Sequence, residues 1–434
     1  MTKIRGRSRC ARTVIGVVAV GLVTTMAACG GSSGGGSTPA ASIGPNGTDD
    51  GTKLTLWTRA PLEKQAKLLV AAYNAGHKNQ VALTVVPNDD YVAKVGAAAG
   101  ASGLPDLFAA DIVYVPNWVK QGLFQDLTTQ INGLPFKDQI NKGHLAAGTV
   151  EGKEHVLPFV LDLSMLFWNK DLFKEAGLDP EKAPATLAEF AADAKKIQAL
   201  NKPGVYGTAT GLNCGGCLVF TWFPSVWASG QQVMSSDGTK SLLNGDVEKT
   251  IYSTWRDLWK SGAVLPSSKD EAGPTWTAGF TEGKVGLMPY PATLLSSTTK
   301  FDVGVAGLPG VNGGASTFVG GDGLGISKDS KHASQAWNFL SWLMSEDAQV
   351  GVLAKDNDVV SRADLANNQY SKADPRVVTI NQVAGEGETP VALNFQQAFN
   401  APNSPWLSLV RNAVLGDGNT VDADNKEIDS VLGQ

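Results

Sequence analysis

From Lys53 onward the sequence alternates between two periodicities, and this restricts the fold more than any other feature. Lys53-Leu-Thr-Leu-Trp57 switches between polar and apolar residues one by one, as a strand does, and Leu62, Ala66, Leu69 and Tyr73 then recur at helical spacing over 62–74. A second strand, Val81–Val86, stops at Pro87, and a third, Asp106–Ala109, follows Gly103-Leu-Pro105. Strands alternating with helices predict an α/β fold around an open sheet. Such sheets bind ligands in the crevice beyond the carboxyl ends of their strands, so the residues after Leu56, Val86 and Ala109 are the first candidates for a site. Further on, an extended apolar run covers Val156–Trp168, and helical patterns cover 187–200, 247–260, 332–344 and 405–415. No internal repeat is visible.

Ahead of this region the chain has a different character. Residues 1–28 carry Lys3, Arg5, Arg7, Arg9 and Arg12 and no acid, then an apolar stretch from Val14 to Val23, then Ala27-Ala28 before Cys29. A basic head, a short apolar middle and a small-residue exit make a secretory signal peptide, and the apolar part is too short to span a bilayer. Met26-Ala-Ala-Cys29 resembles the lipobox of bacterial lipoproteins. That resemblance implies that Cys29 becomes the lipidated first residue of the mature chain, with 29–51, rich in Gly, Ser, Thr, Ala and Pro, as a flexible linker. The alternative is an ordinary cleaved signal with a chance cysteine.

The formal charge of −5 for 434 residues averages two unlike pieces, since discarding five basic residues with the leader takes the body to −10. An acidic body lacks the basic face that nucleic acid requires, so no nucleic-acid partner is expected. A chain this long, 43% hydrophobic, exceeds a single compact core, and at least two lobes are expected. Of four cysteines, Cys10 leaves with the signal and Cys29 is lipidated; Cys214 and Cys217, in Cys-Gly-Gly-Cys, most simply close a small disulfide loop in an oxidising exterior. A redox pair is disfavoured, because the sequence places the two cysteines at no helix start, and a zinc site is disfavoured because no second Cys or His pair completes it. No metal and no cofactor are expected.

Five blocks, in order, are similar to one family. They are Leu104-Pro-Asp-Leu with Gln121–Leu127, Phe167-Trp-Asn-Lys-Asp-Leu-Phe-Lys-Glu-Ala-Gly-Leu178 with Pro184–Phe190, Phe280–Met288, Gly320–Lys328, and Ala336–Leu343 with Ser345–Gln349. Together they resemble the extracellular solute-binding proteins of ABC importers, and within them the family 1 group that serves sugar uptake. The resemblance implies a two-lobe, periplasmic-binding-protein-like fold with a hinge of crossing segments and an interlobe ligand cleft. It puts crossings near 158–161, 305–309 and 359–362, giving one lobe from 52–160 plus 305–360 and a second from 161–304 plus 361–434. It also implies a carbohydrate ligand, an ABC permease with a cytoplasmic ATPase as partner, attachment to the outer face of the cytoplasmic membrane through the N-terminal lipid, and a monomer that is not an enzyme.

A sugar presents flat C–H faces and rings of hydroxyls, so its site needs aromatic plates and charged or amide partners. Of the 11 Trp, the helical spacing of Trp255, Trp259, Trp337 and Trp342 favours packing, as do the settings of Trp118, Trp168 and Trp227. Trp57, Trp222, Trp276 and Trp406 remain as candidate plates, although Trp57 at a strand end suits a core equally well. Asp162, the one acid in the apolar run at the first crossing, is the leading polar candidate; its alternative is an acid satisfied by hinge backbone. Arg59 and Asp111 follow the first and third strands, and Gly320-Gly321-Asp322-Gly323 lets backbone approach a ligand at Gly321 while Asp322 accepts from hydroxyls. The family often places a Trp beyond Met288; here the turn reads Pro289-Tyr-Pro-Ala-Thr293, so Tyr290 becomes the candidate contact. Two other functions stay open: a receptor for a non-sugar solute such as a polyamine, metal or phosphodiester, and a secreted glycoside hydrolase, for which no catalytic motif is visible.

Overall fold

The computed structural model describes residues 43–296 and 300–434. The expected leader, Cys29 and most of the linker lie outside those residues. The linker's last stretch is anchored: Pro45 O accepts from the Trp337 indole and Asn46 O from Asn338, while the Asn79 carboxamide gathers the backbone N–H groups of Asp50, Gly51 and Thr52. Ordered packing therefore begins before Lys53, because backbone groups of a Gly-Pro-Asn turn, rather than any apolar pattern, make the contacts.

One seven-stranded sheet organises the molecule. Its strands are β1 (Lys53–Arg59), β2 (Gln80–Val86), β3 (Leu107–Asp111), β4 (Val156–Asn169), β5 (Leu287–Pro291), β6 (Val303–Ala306) and β7 (Val319–Ile326). They lie in the order β2-β1-β3-β7-β4-β5, with β6 also on β4. β1 runs parallel to β2 and β3, whereas β7 is antiparallel to both β3 and β4. The 14-residue β4 is shared: Val156–Leu163 pairs with β7, and Ser164–Asn169 pairs with β5 and β6. Its near-continuous apolar sequence has the physical reason that both faces are covered, with every residue but Asp162 buried.

Helices α1 (Glu63–Gly76), α2 (Asn88–Gly100) and α3 (Val115–Lys120) follow the first three strands. Leu54, Leu56 and Leu107 of the sheet pack with Leu69 and Tyr73 of α1 and with Trp337 and Leu340 of α7 (Ala333–Leu343). A second core is built from α4 (Leu187–Gln198), α5 (Gly215–Ala228), α6 (Asp246–Lys260), α9 (Pro405–Leu415) and α10 (Val421–Leu432), while Ile380 and Val383 of α8 (Pro375–Ala384) pack with Met165 and Phe167 of β4. Each buried large apolar side chain contributes about 1.5–3 kcal/mol by leaving water. Trp118, Trp168, Trp227, Trp255 and Trp337 are buried, while Trp259 and Trp342 are half-buried against the same cores. Among the described residues no helix is long and apolar enough to cross a membrane.

One expectation is corrected. Cys214 and Cys217, whose sulfurs are bonded, stand at the start of the 14-residue α5, with Cys214 as its N-cap. The sequence hides this helix because Gly215-Gly216 opens it and Pro224 lies inside it, and both residue types are poor helix formers. Burial outweighs propensity here: Leu218, Val219, Trp222, Phe223 and Val226 are all sequestered.

Candidate ligand-binding cleft

The neighbouring strands β1, β3, β7 and β4 bring Arg59, Asp111, Asp322 and Asp162 to one end of the sheet. Register explains the meeting: Asp322 faces Asp111 across the β7–β3 pair, and Gly320 faces Asp162 across β7–β4. Gly321, between them, has φ +97°, and a Cβ there would lie 2.0 Å from Val160 O. Only glycine allows this backbone turn, which precedes a shift in register at Asp322/Gly323 and aims Asp322 at Arg59.

Arg59 is the electrostatic centre. Its Nε and Nη2 donate to Asp322 Oδ1 at 2.8 and 2.6 Å, Nη2 also meets Asp111 Oδ2 at 3.1 Å, and Nη1 reaches Asn88 Oδ1 at 3.4 Å. The two carboxylates hold the guanidinium firmly protonated against the opposing cost of burial. Burial pulls the Asp322 carboxyl upward while the Arg59 charge opposes it; at hydrogen-bond distance the guanidinium keeps this acid ionised at neutral pH. Asp162 has no such partner. Its Oδ1 is sealed from solvent without a hydrogen bond, and burial, with the charge of Asp111 added and Arg59 opposing, pushes its carboxyl up to about 7.

These groups border a cavity of about 340 Å³. Arg59, Asp111, Asp162 and the backbone of Gly320 and Gly321 form its polar side, and Phe220, Trp276, Phe318 and Phe395 form its aromatic side, with Asn400 beside them. The start of α5 contributes Gly216, Cys217, Val219 and Phe220. Helical geometry selects this face: 216, 217 and 220 recur at three to four residues, whereas Trp222 falls on the opposite side. The cavity thus joins flat apolar walls to hydrogen-bonding carboxylates.

Of the ten residues expected at the site, Arg59, Asp111, Asp162, Trp276 and Gly321 line the cavity. Asp322, fully buried, stands behind Arg59 and orients it. Tyr290 is buried next to Trp276, its ring parallel to the indole with centroids 6.3 Å apart, so it backs the plate instead of facing a ligand. Trp57, Trp222 and Trp406 are in other places. Trp57 shares its face of β1 with Arg59, but the Lys94 ammonium covers its ring at 4.6 Å. Trp222 is 2% exposed and stacks on Trp255 at 5.2 Å. Trp406 is 1% exposed, packs on Phe223, and donates its indole N–H to Gly215 O. Phe220, Phe318, Phe395 and Asn400 were missed by the sequence reading; for Phe220 the signal was the helical phase of 216–228, hidden with its helix. Among the described residues no group of three or more His, Cys, Asp or Glu is arranged to hold a metal ion.

Known proteins share these features. A binding protein of Brucella abortus (strain 2308) is 28% identical over 273 residues, covering 61% of this chain and 64% of that protein, so the match spans less than two thirds of that relative. The diacetylchitobiose binding protein DasA of Streptomyces coelicolor is 25% identical over 410 residues, covering 90% of this chain and 92% of DasA. The cyclic alpha-maltosyl-1,6-maltose binding protein of Arthrobacter globiformis superposes with a TM-score of 0.73 at 23% identity, covering 88% of this chain and all of that one, which shows a shared two-lobe α/β fold. The family described as bacterial extracellular solute-binding protein matches residues 59–350, more than half of the chain, and the chain belongs to that family.

Proposed function

We propose that this protein is the extracellular receptor of an ABC importer, capturing a mono- or oligosaccharide between its lobes and handing it to a membrane permease driven by a cytoplasmic ATPase. The observation that carries the reading is one cavity in which a half-buried indole, three phenylalanines and the carboxylates of Asp111 and Asp162 converge. Aromatic faces take up sugar C–H surfaces and carboxylates accept from hydroxyls. The similarity to a diacetylchitobiose binding protein along nearly the whole chain supports a sugar over a polyamine, metal or phosphodiester. A phosphodiester would meet the carboxylates of Asp111 and Asp162, with the nearby guanidinium already engaged by Asp111 and Asp322.

In this reading the lobes are 52–160 plus 305–360 and 161–304 plus 361–434, with β4 as the shared crossing strand, and ligand contacts to both favour the closed state that the permease recognises. The mature chain is a monomer held to the outer face of the cytoplasmic membrane by lipid on Cys29. The protein binds without catalysis; a glycoside hydrolase would need one carboxyl free to act as acid and another as base or nucleophile, and Asp111 and Asp322 are both committed to Arg59. Titration calorimetry against a sugar panel, run with a product assay, tests this. Saturable heat without product supports the receptor, product formation overturns it, and silence towards every sugar shifts the reading to another solute.

A further inference from the structure

The polar side of the cleft is rich in acceptors and poor in donors. Arg59 is the one cation among the described lining residues, and its donors are directed at Asp111, Asp322 and Asn88. Asp162, partly exposed, and Asn400 line the cavity, and each keeps an Oδ1 with no hydrogen-bond partner; Asp322 Oδ2, behind Arg59 and outside the lining, is likewise unpartnered. Three carboxylates around one guanidinium leave an excess of negative charge when ionised. A buried acceptor left unpaired costs about 1–3 kcal/mol, more for a charged group, so an occupant that brings hydrogens is favoured over one that brings lone pairs. A hydroxyl carries one hydrogen and its own lone pairs, whereas an ammonium carries three hydrogens, none of the lone pairs, and the compensating charge.

From this arrangement we propose that the cleft selects a sugar bearing a protonated amine, with Asp162 receiving the ammonium while Phe220, Phe318 and Trp276 hold the ring. The proposal rests on the sugar-receptor reading and narrows its ligand class. A bare metal ion is disfavoured as the cation because Arg59 occupies the space between Asp111 and Asp322. Sugars carrying carboxylate or phosphate are excluded by like charge.

The test is calorimetry on the full mature chain with matched pairs that differ only in amine against hydroxyl: glucosamine and glucose, galactosamine and galactose, chitobiose and cellobiose, and an aminotrehalose and trehalose. The expected result is at least tenfold tighter binding of the amine member in one or more pairs, lost or reduced at least fivefold in Asp162→Asn, with no binding of glucuronic or galacturonic acid. The proposal is overturned if no pair that binds prefers its amine member at least tenfold, if glucuronic or galacturonic acid binds, or if Asp162→Asn reduces the amine preference less than fivefold. If no sugar of any kind binds, the receptor reading itself falls, an outcome distinct from binding without amine preference. Thermal unfolding of Asp162→Asn alongside shows whether the variant is folded, and Asp162→Glu, which restores the charge, is expected to recover part of the preference.

Discussion

Asp162 shows how a side chain can cost stability in the empty protein and still serve the bound one. Its carboxyl is raised from 3.8 to about 7. The folded protein therefore holds a proton that the unfolded chain has lost between those values, and this group's contribution to stability is full below about pH 4 and lost as pH rises through about 7. The ligand-free Asp162→Asn protein is expected to unfold at a higher temperature than the wild type at pH 8 and to show a flatter dependence on pH between 4 and 8. Asp358, also raised to about 7 by burial with Asp356 nearby, leaves some slope in both proteins. Identical slopes in thermal scans would rule out Asp162 as a titrating group. The two tryptophans give the complementary experiment. Trp222→Ala empties a core position and should cost about 3–5 kcal/mol in denaturant unfolding. Trp276→Ala, half-buried at the cavity, should weaken sugar binding roughly tenfold, about 1.4 kcal/mol, with little change in stability. The reverse pattern would move the site.

At the scale of elements, α5 matters most, since its first turn is a wall of the cleft and carries the disulfide. Closing so short a loop removes little unfolded-chain entropy, about 2 kcal/mol on the loop-closure model, so the bridge's main effect is to fix the turn that presents Gly216, Cys217 and Phe220. The double variant Cys214→Ser/Cys217→Ser is thus expected to lose affinity in calorimetry by about tenfold while its unfolding free energy falls by only about 2 kcal/mol. Unchanged affinity would reduce the bridge to a local staple. α5 also shows where sequence reading stopped. Strand β1 and helix α9 were legible because their apolar residues follow a simple period, β2, β3 and β4 because they are short or continuous apolar runs bounded by turn residues, and Arg59, Asp111 and Asp162 as charged residues beside strand ends or within an apolar strand. Phe220 was not. In an almost wholly apolar helix every residue looks like core, and distinguishing the cleft face from the Trp222 face requires knowing that Gly215 is its first residue. Trp406 misled for a related reason: Pro402-Asn-Ser-Pro405 reads as an exposed turn, but Ser404 caps α9 and the indole is drawn under it.

For the whole molecule, binding energy depends on contacts that join the two sides of the cleft. The Asn117 carboxamide on α3 donates to Leu393 O at 3.0 Å, linking an element that follows β3 to the segment that brings Phe395 and Asn400 to the cavity. Leu393 is 45% exposed, so this bond lies at the rim, where water competes with it. Its worth is set near the low end for a hydrogen bond, about 0.5–1 kcal/mol. An opening motion that parts α3 from the 393–400 segment breaks this bond, so the bond favours the state in which the two are together. Its loss then lowers affinity without affecting the core, because a contact present in one state alone shifts the population between states. Asn117→Ala should bind two- to fivefold more weakly, mainly through faster release, with an unchanged unfolding midpoint. Small-angle scattering should find a smaller radius of gyration with saturating ligand than without, in both wild type and variant. If the radius stays constant while the wild type saturates, the lobes do not move, and Asn117 is simply a surface contact.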